Sequence, residues 1–92
     1  MTEFLQECYV AGRTDIARHA RAQVAAIAAV VSASDLPIRL IGALLLPADE
    51  TLFLLWQADT ESVVREIIQH AGMTCDRITE VVAIPSLCRE PA

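Results

Sequence analysis

The sequence predicts an α+β sandwich with the element order β-α-β-β-α-β. Three observations predict it: two stretches with helical periodicity, four stretches typical of strands, and their alternation along a chain of 92 residues. A chain of this length forms one domain and buries only about 60% of the surface that the unfolded chain exposes. We expect one domain over residues 1–85 and a C-terminal tail over residues 86–92.

The first half of the chain predicts a strand, a helix and a second strand. Residues 3–10 alternate between two sides with a period of two, which is typical of a strand. Thr14 is a suitable N-cap, and apolar residues then recur at helical spacing until Ser32. Residues 35–37, Asp-Leu-Pro, break that helix. Residues 38–46 are almost wholly apolar, which favours a buried strand.

The second half predicts a hairpin, a second helix and a last strand. Residues 47–50, Pro-Ala-Asp-Glu, are typical of a turn, and residues 51–58 alternate as the returning strand. Residues 59–60, Asp-Thr, each offer an N-cap for a helix with an apolar stripe. Gly72 suits the left-handed position after the end of that helix. Residues 78–84 predict the fourth strand.

Two right-handed crossovers in this order give the ferredoxin-like sandwich, with both helices on one face of the sheet. The sheet is antiparallel and four-stranded, in the spatial order 4-1-3-2. Both alternating sets of the second and third strands are apolar, although an antiparallel sheet with one wet face should alternate apolar with polar residues. The sets are Ile38, Leu40, Leu44 and Leu46 against Ile41, Ala43 and Leu45, and Phe53 and Leu55 against Leu52, Leu54 and Trp56.

The doubly apolar sheet predicts a partner. One face of four strands has an area of about 400 Å², the size at which an exposed apolar patch marks a contact site. We therefore predict a homodimer packed sheet to sheet, a dimeric α+β barrel. A standard interface covers about 800 Å² on each partner, so residues from 85 onward are expected to join it. The alternative is a monomer with an apolar ligand groove on this face.

Composition excludes several classes of protein. The chain is 54% hydrophobic and 21% charged, which fits a globular domain and not a disordered one. Its apolar stretches are shorter than the roughly 20 residues that a membrane span requires. A net charge of −5 with seven basic residues argues against a nucleic-acid partner. The N-terminus lacks a signal-peptide pattern, so we expect a cytoplasmic protein without a membrane partner.

The cysteines predict no disulfide framework. Cys8, Cys75 and Cys88 are odd in number, widely separated and without a Cys-x-x-Cys spacing. A zinc ribbon is not indicated either. We expect reduced thiols, with Cys8 in the core of the domain.

Both histidines follow a carboxylate by four residues on their own helix: Asp15 with His19, and Glu66 with His70. Such residues are neighbours on a helix surface, and their rotational positions turn both imidazoles towards the groove between the helices. Imidazole with carboxylate suits nickel, copper or zinc, so these four residues are a candidate metal site. The alternative is that His70 stabilises its helix C-terminus and that Asp15 and His19 form an ordinary exposed pair.

No catalytic signature is present: there is no Gly-rich phosphate loop, nucleophile elbow or zinc-protease motif. The sequence therefore leans against an enzyme. Glu7 and Tyr9 share one side of the first strand and, with Trp56, are candidate residues of a cavity between two sheets. A buried Glu7 needs a partner, for which Arg39 is a candidate, unless the barrel mouth is solvated. This set supports the second hypothesis: a dimeric α+β barrel enzyme of the cofactor-free monooxygenase type, or a small-molecule sensor.

Three stretches resemble a known family: residues 2–10 (TEFLQECYV), 47–53 (PADETLF) and 71–78 (AGMTCDRI). Their order and spacing resemble small bacterial, largely actinobacterial, ferredoxin-like proteins of unknown function that are often labelled nickel-binding. The resemblance spans nearly the whole chain and implies a ferredoxin-like fold, a homodimer and nickel binding without known catalysis. Many members carry a cysteine where this chain has Leu52 and a basic residue where it has Cys8. The candidate ligands above therefore come from helix geometry and not from the family.

Overall fold

The computed structural model describes residues 1–10, 12 and 14–84. Within these ranges, four strands and two α-helices follow in the predicted order. The elements are β1 (Thr2–Tyr9), α1 (Ile16–Ala33), β2 (Ile38–Leu46), a 3-10 turn (Pro47–Asp49), β3 (Thr51–Ala58), α2 (Glu61–His70) and β4 (Arg77–Val81). The predicted tail over residues 86–92 lies outside the described residues.

One antiparallel sheet carries the strands in the order β2-β3-β1-β4, which confirms the predicted order 4-1-3-2. β1 and β3 form the centre, and Phe4 opposite Trp56 fixes their register. Residues directly opposite one another share a face of the sheet. The face that carries Phe4 and Trp56 is buried under α1 and α2, as expected for a ferredoxin-like α+β fold.

The core lies between this face and the two helices. Its members include Phe4, Cys8, Leu52, Leu54 and Trp56 from the sheet, and Ala20, Ile27, Val64, Ile67 and Ile68 from the helices. Each large apolar side chain that is fully buried stabilises the fold by about 1.5–3 kcal/mol. Cys8 has no exposed surface, which confirms its predicted place in the core.

A β-bulge at Ile41 changes which side chains of β2 face the helices. Leu40 pairs with Trp56 and Gly42 with Leu55, so Ile41 is an extra residue in the ladder. The register places Ile38, Leu40, Ala43 and Leu45 on the helix side, and Arg39, Gly42, Leu44 and Leu46 on the other side. The predicted grouping of β2 is therefore wrong after the bulge, because one inserted residue exchanges the two faces.

The helix ends follow local chemistry. The side chain of Asp15 accepts a hydrogen bond of 3.2 Å from the Arg18 backbone N–H, so Asp15 and not Thr14 caps α1. Thr60 is the N-cap residue of α2, and Gly72 adopts a φ of 66° beyond its end, both as predicted. Within the described ranges, neither helix is long and apolar enough to cross a membrane.

β4 is shorter than the predicted strand over residues 78–84. Its last ladder pair joins Val81 to Glu3, and β1 begins only one residue earlier, at Thr2. Residues after Val81 therefore have almost no part of β1 beside them with which to form ladder hydrogen bonds. The backbone N–H of Ala83 donates instead to the Glu3 carboxylate at 3.2 Å.

Candidate binding face

No helix or strand of the described residues covers the sheet face opposite α1 and α2, and we call it the open face. Its side chains form four cross-strand rows. The rows are Arg39–Gln57–Glu3–Val81, Gly42–Leu55–Leu5–Thr79, Leu44–Phe53–Glu7–Arg77 and Leu46–Thr51–Tyr9. Apolar side chains occupy the middle of this face, and charged and polar groups lie towards β4 and one end of the strands.

Large apolar side chains remain exposed on the open face. Leu44 is 70% exposed, Tyr9 59% and Leu46 37%. On the helix side of β3, by contrast, Leu54 and Trp56 have no exposed surface. Exposure of apolar surface to water is unfavourable. The open face therefore has the composition of a surface that binds a partner or a ligand.

Glu7 is paired across the open face with Arg77 on β4. The Arg77 Nε lies 3.7 Å from the Glu7 Oε2, and the Glu7 side chain is only 22% exposed. The predicted partner Arg39 is wrong, because it lies on β2, opposite Gln57 and two strands away from Glu7. The half-buried Glu7 carboxylate on the central strand β1 therefore pairs with the Arg77 guanidinium on the adjacent strand β4.

The structure separates the three predicted cavity residues. Glu7 and Tyr9 share the open face, in neighbouring rows. Trp56 lies on the helix side opposite Phe4 and is fully buried, so its assignment to a cavity between two sheets is wrong. Strand parity is the reason, since Phe53 takes the open face and every second residue of β3 follows it.

A buried polar network lies in the core instead. The Trp56 Nε1 donates to the Gln6 Oε1 at 2.8 Å, and the Gln6 Nε2 donates to the Cys8 Sγ at 2.9 Å. The Cys8 thiol in turn donates to the Thr74 carbonyl oxygen at 3.1 Å. Sequence reasoning did not single out Gln6, because one polar residue in an alternating apolar set gives no sign of its partners.

Burial also sets the chemistry of the two described thiols. It raises the pKa of Cys8 to about 12, against a smaller lowering by the hydrogen bond from Gln6. The pKa of Cys75 is raised as well, chiefly by burial. Since the thiolate is the nucleophilic form of cysteine, these thiols are poor nucleophiles at neutral pH. Cys88 lies outside the described residues.

Glu66 and His70 of the predicted metal site line a hollow of about 420 Å³ between α2 and the end of α1. Val30 and Asp35 also line this hollow, from the end of α1 and the loop after it. His19 is not among the residues that line this hollow. Ala71, next to His70, lines another hollow with Gln23, four residues after His19.

Asp15 is engaged at the start of α1. Besides capping the helix, its Oδ2 lies 3.5 Å from the Arg18 Nε. In the described part of the chain, no group of three or more His, Cys, Asp and Glu side chains is placed to hold a metal ion. Among these described residues, the donors of one chain do not by themselves form such a group, and the site of His19, His70, Asp15 and Glu66 stays a prediction.

A second concave surface, the α1–β2 groove, lies between α1 and the edge strand β2. Its volume is about 400 Å³. Ala20, Val24 and Ala28 line it from α1, and Ala43, Leu45 and Leu52 line it from the sheet. The alanine side chains are too short to fill the space above β2, so apolar surface remains accessible beside the sheet edge.

A comparison with solved structures supports the fold. The chain is similar to the crystal structure of SCO4226 from Streptomyces coelicolor A3(2), with a TM-score of 0.68 and 22% sequence identity. The match covers 90% of this chain and 99% of that chain. At this identity the likeness concerns the fold alone. No protein-family model matches the chain, and a search of curated proteins found no match.

Proposed function

We propose that this chain is a homodimeric binding domain, in which two open faces pack together as an α+β barrel and enclose a small, mainly apolar molecule. The observation that carries the proposal is the exposure of large apolar side chains on the open face, with Leu44 at 70% and Tyr9 at 59%. A second copy carries the same surface, and a two-fold contact covers both surfaces at once.

The open face also has room for a ligand between two copies. Stacked sheets lie about 10 Å apart, a space that interdigitating side chains normally fill. Gly42 contributes no side chain to its row, and a Cβ built there meets no atom within 4 Å. The Glu7–Arg77 pair and the Tyr9 hydroxyl lie on the same face and can orient the polar end of a bound molecule.

The mass of the chain in solution tests the dimer. Light scattering at micromolar concentration should give twice the 10.0 kDa of one chain, and a mass of one chain would contradict the proposal. Anilinonaphthalene sulfonate, an apolar fluorescent probe, then tests the chamber. We expect the dimer to bind it, and Gly42→Leu to weaken binding at least about tenfold, equivalent to about 1.4 kcal/mol.

A matched variant makes the chamber test specific. Ala22 is exposed on α1, away from the open face, so Ala22→Leu adds the same side chain at a neutral site. Probe affinity should stay within about twofold in this variant. Equal losses in the Ala22→Leu and Gly42→Leu variants would place the probe outside the chamber and contradict the ligand role.

Nickel binding, which the sequence resemblance implies, is a separate proposal. The lining of one hollow by Glu66, His70 and Asp35 supports it. Since no three such donors come together among the described residues, water or a second chain would have to complete the coordination shell. This proposal does not depend on the open face.

A further inference from the structure

β2 has a free edge. It pairs with β3 on one side, and no strand of the described residues pairs with its other side. An unpaired row of N–H and C=O groups is a template for strand addition unless charges or proline protect it. Residues 41–44, Ile-Gly-Ala-Leu, are uncharged and exposed, so the middle of this edge has no such protection.

The opposite edge of the sheet ends in an exposed apolar segment, residues 82–84. Val82 and Ile84 are 80% and 81% exposed, more than any other large apolar side chain of the described residues. In a strand, residues two apart face the same side. Continuation of β4 would therefore place Val82 and Ile84 on one side, the helix side that Ile78 also shares.

These two features cannot meet within one chain. β2 and β4 are three strand spacings apart, which is about 14 Å. The two features do meet in a dimer whose two-fold axis lies between the open faces and runs parallel to the strands. It places β4 of each copy beside β2 of the other, in antiparallel orientation, because β2 and β4 run in opposite directions in the sheet.

We propose that residues 82–84 of each copy continue β4 along the free edge of the partner's β2 and close the two sheets into one barrel. The inference rests on the proposed dimer and adds its axis, its second contact and the residues that make it. The added strand contact also enlarges the interface. An open face alone has about 400 Å², which is half of what a standard interface covers on each partner.

Barrel geometry gives the register. In a flat arrangement Ala43 shares its row with Ile78. We take the shear of the eight-stranded (β/α)8 barrel, about eight residues, for this barrel, which shifts each of its two symmetric seams by about four residues. Neighbouring strands of a barrel are staggered in a right-handed sense. The stagger moves the residue opposite Ala43 from Ile78 towards the C-terminus of the second copy's β4, so Ala43 lies beside the partner's Val82.

The α1–β2 groove then receives the partner's apolar side chains. Ala43 lies on the helix side of β2, which becomes the outer surface of the barrel, and the partner's Val82 lies on the same surface. Since Ala43 also lines the groove, Val82 is brought against the alanines of α1. Two exposed apolar features of the monomer are thus covered by one contact.

Engineered disulfides test this register. In a Cys75→Ser, Cys88→Ser background, with the buried Cys8 retained, Ala43→Cys is combined with Val82→Cys. Adjacent strand residues lie at Cα distances that a disulfide bridges. We expect oxidation to give a covalent dimer on a non-reducing gel, at least about tenfold more than in the matched pair Leu44→Cys with Val82→Cys, because Leu44 points to the other face.

The outcomes separate this inference from the dimer itself. A chain that has the mass of a dimer but gives no Ala43–Val82 cross-link overturns strand addition and leaves the proposed dimer intact. Efficient cross-linking of Ala43→Cys alone would mean that two β2 edges meet, which also overturns it. As an independent measurement, Val82→Asp with Ile84→Asp should weaken dimerisation at least about tenfold, and an unchanged dimer contradicts the inference.

Discussion

The indole Nε1 of Trp56 donates a hydrogen bond of 2.8 Å to the side-chain carbonyl of Gln6, and neither residue has exposed surface. The bond joins the two central strands through their side chains, beneath the helices. The bond stabilises the fold chiefly because a buried donor or acceptor without a partner costs about 1–3 kcal/mol of stability. The side-chain oxygen and nitrogen of the buried Gln6 therefore have hydrogen-bond partners in Trp56, Cys8 and Thr74.

Gln6→Leu should lower the free energy of unfolding by about 1–3 kcal/mol, because it leaves the Trp56 Nε1 buried without an acceptor. Urea denaturation measures this. The control Gln69→Leu changes the same residue type at an exposed position of α2, away from the open face, and should stay within about 0.5 kcal/mol. Adding Trp56→Phe to Gln6→Leu should cost less than the two single changes together, since they share one bond; additive losses would contradict the coupling.

Stability should fall as the pH rises above 9. The pKa of Cys8 is about 12 in the folded chain, against an ordinary value of 9.0. Between these values the unfolded chain binds fewer protons than the folded one, so stability is full below pH 9 and is lost towards pH 12. The slope is about 1.4 kcal/mol per pH unit for one group. All seven basic residues are arginines, so no lysine titrates in this range.

Urea unfolding at several pH values between 7 and 11 measures that slope. Cys8→Ala should remove most of it. Cys75→Ala serves as the comparison, because the pKa of Cys75 is also raised by burial but the side chain is only partly buried. A slope that is unchanged in Cys8→Ala, or reduced more in Cys75→Ala, would contradict the assignment.

Leu44→Asp should convert the proposed dimer to single chains while leaving the fold intact. The side chain is 70% exposed in the monomer, so a charge there costs little before association and is desolvated afterwards. Sedimentation or light scattering should show dimer affinity reduced at least about a hundredfold, equivalent to about 2.7 kcal/mol. Ala29→Asp, at an exposed position of α1, is the control and should remain dimeric.

Calorimetric titration with Ni²⁺, Zn²⁺ and Cu²⁺ tests the metal proposal. Because Glu66 and His70 line one hollow, Glu66→Ala and His70→Ala should each lower Ni²⁺ affinity at least about tenfold. His19→Ala should leave it within about twofold. Equal losses from His19→Ala and His70→Ala would support the predicted four-residue site between the helices. The absence of binding to the unaltered chain would contradict nickel binding altogether.

The sequence by itself determined the elements and their order. The bounds of β2 and β3, the position of Gly72 and the strand order follow from polarity periods, turn residues and crossover handedness, which are local or general rules. The apolar character of both sides of the sheet was also present in the sequence, and it is what predicts a partner. Local chemistry is strong enough in these segments to leave one arrangement.

Only the tertiary structure decided which faces the individual side chains take and which groups pair. The bulge at Ile41 moved Leu44 to the open face, and parity placed Trp56 in the core. Glu7 is paired with Arg77, not Arg39, because the register sets the neighbours across strands. Such pairings depend on contacts between residues distant in sequence, and periodicity within one segment does not encode them.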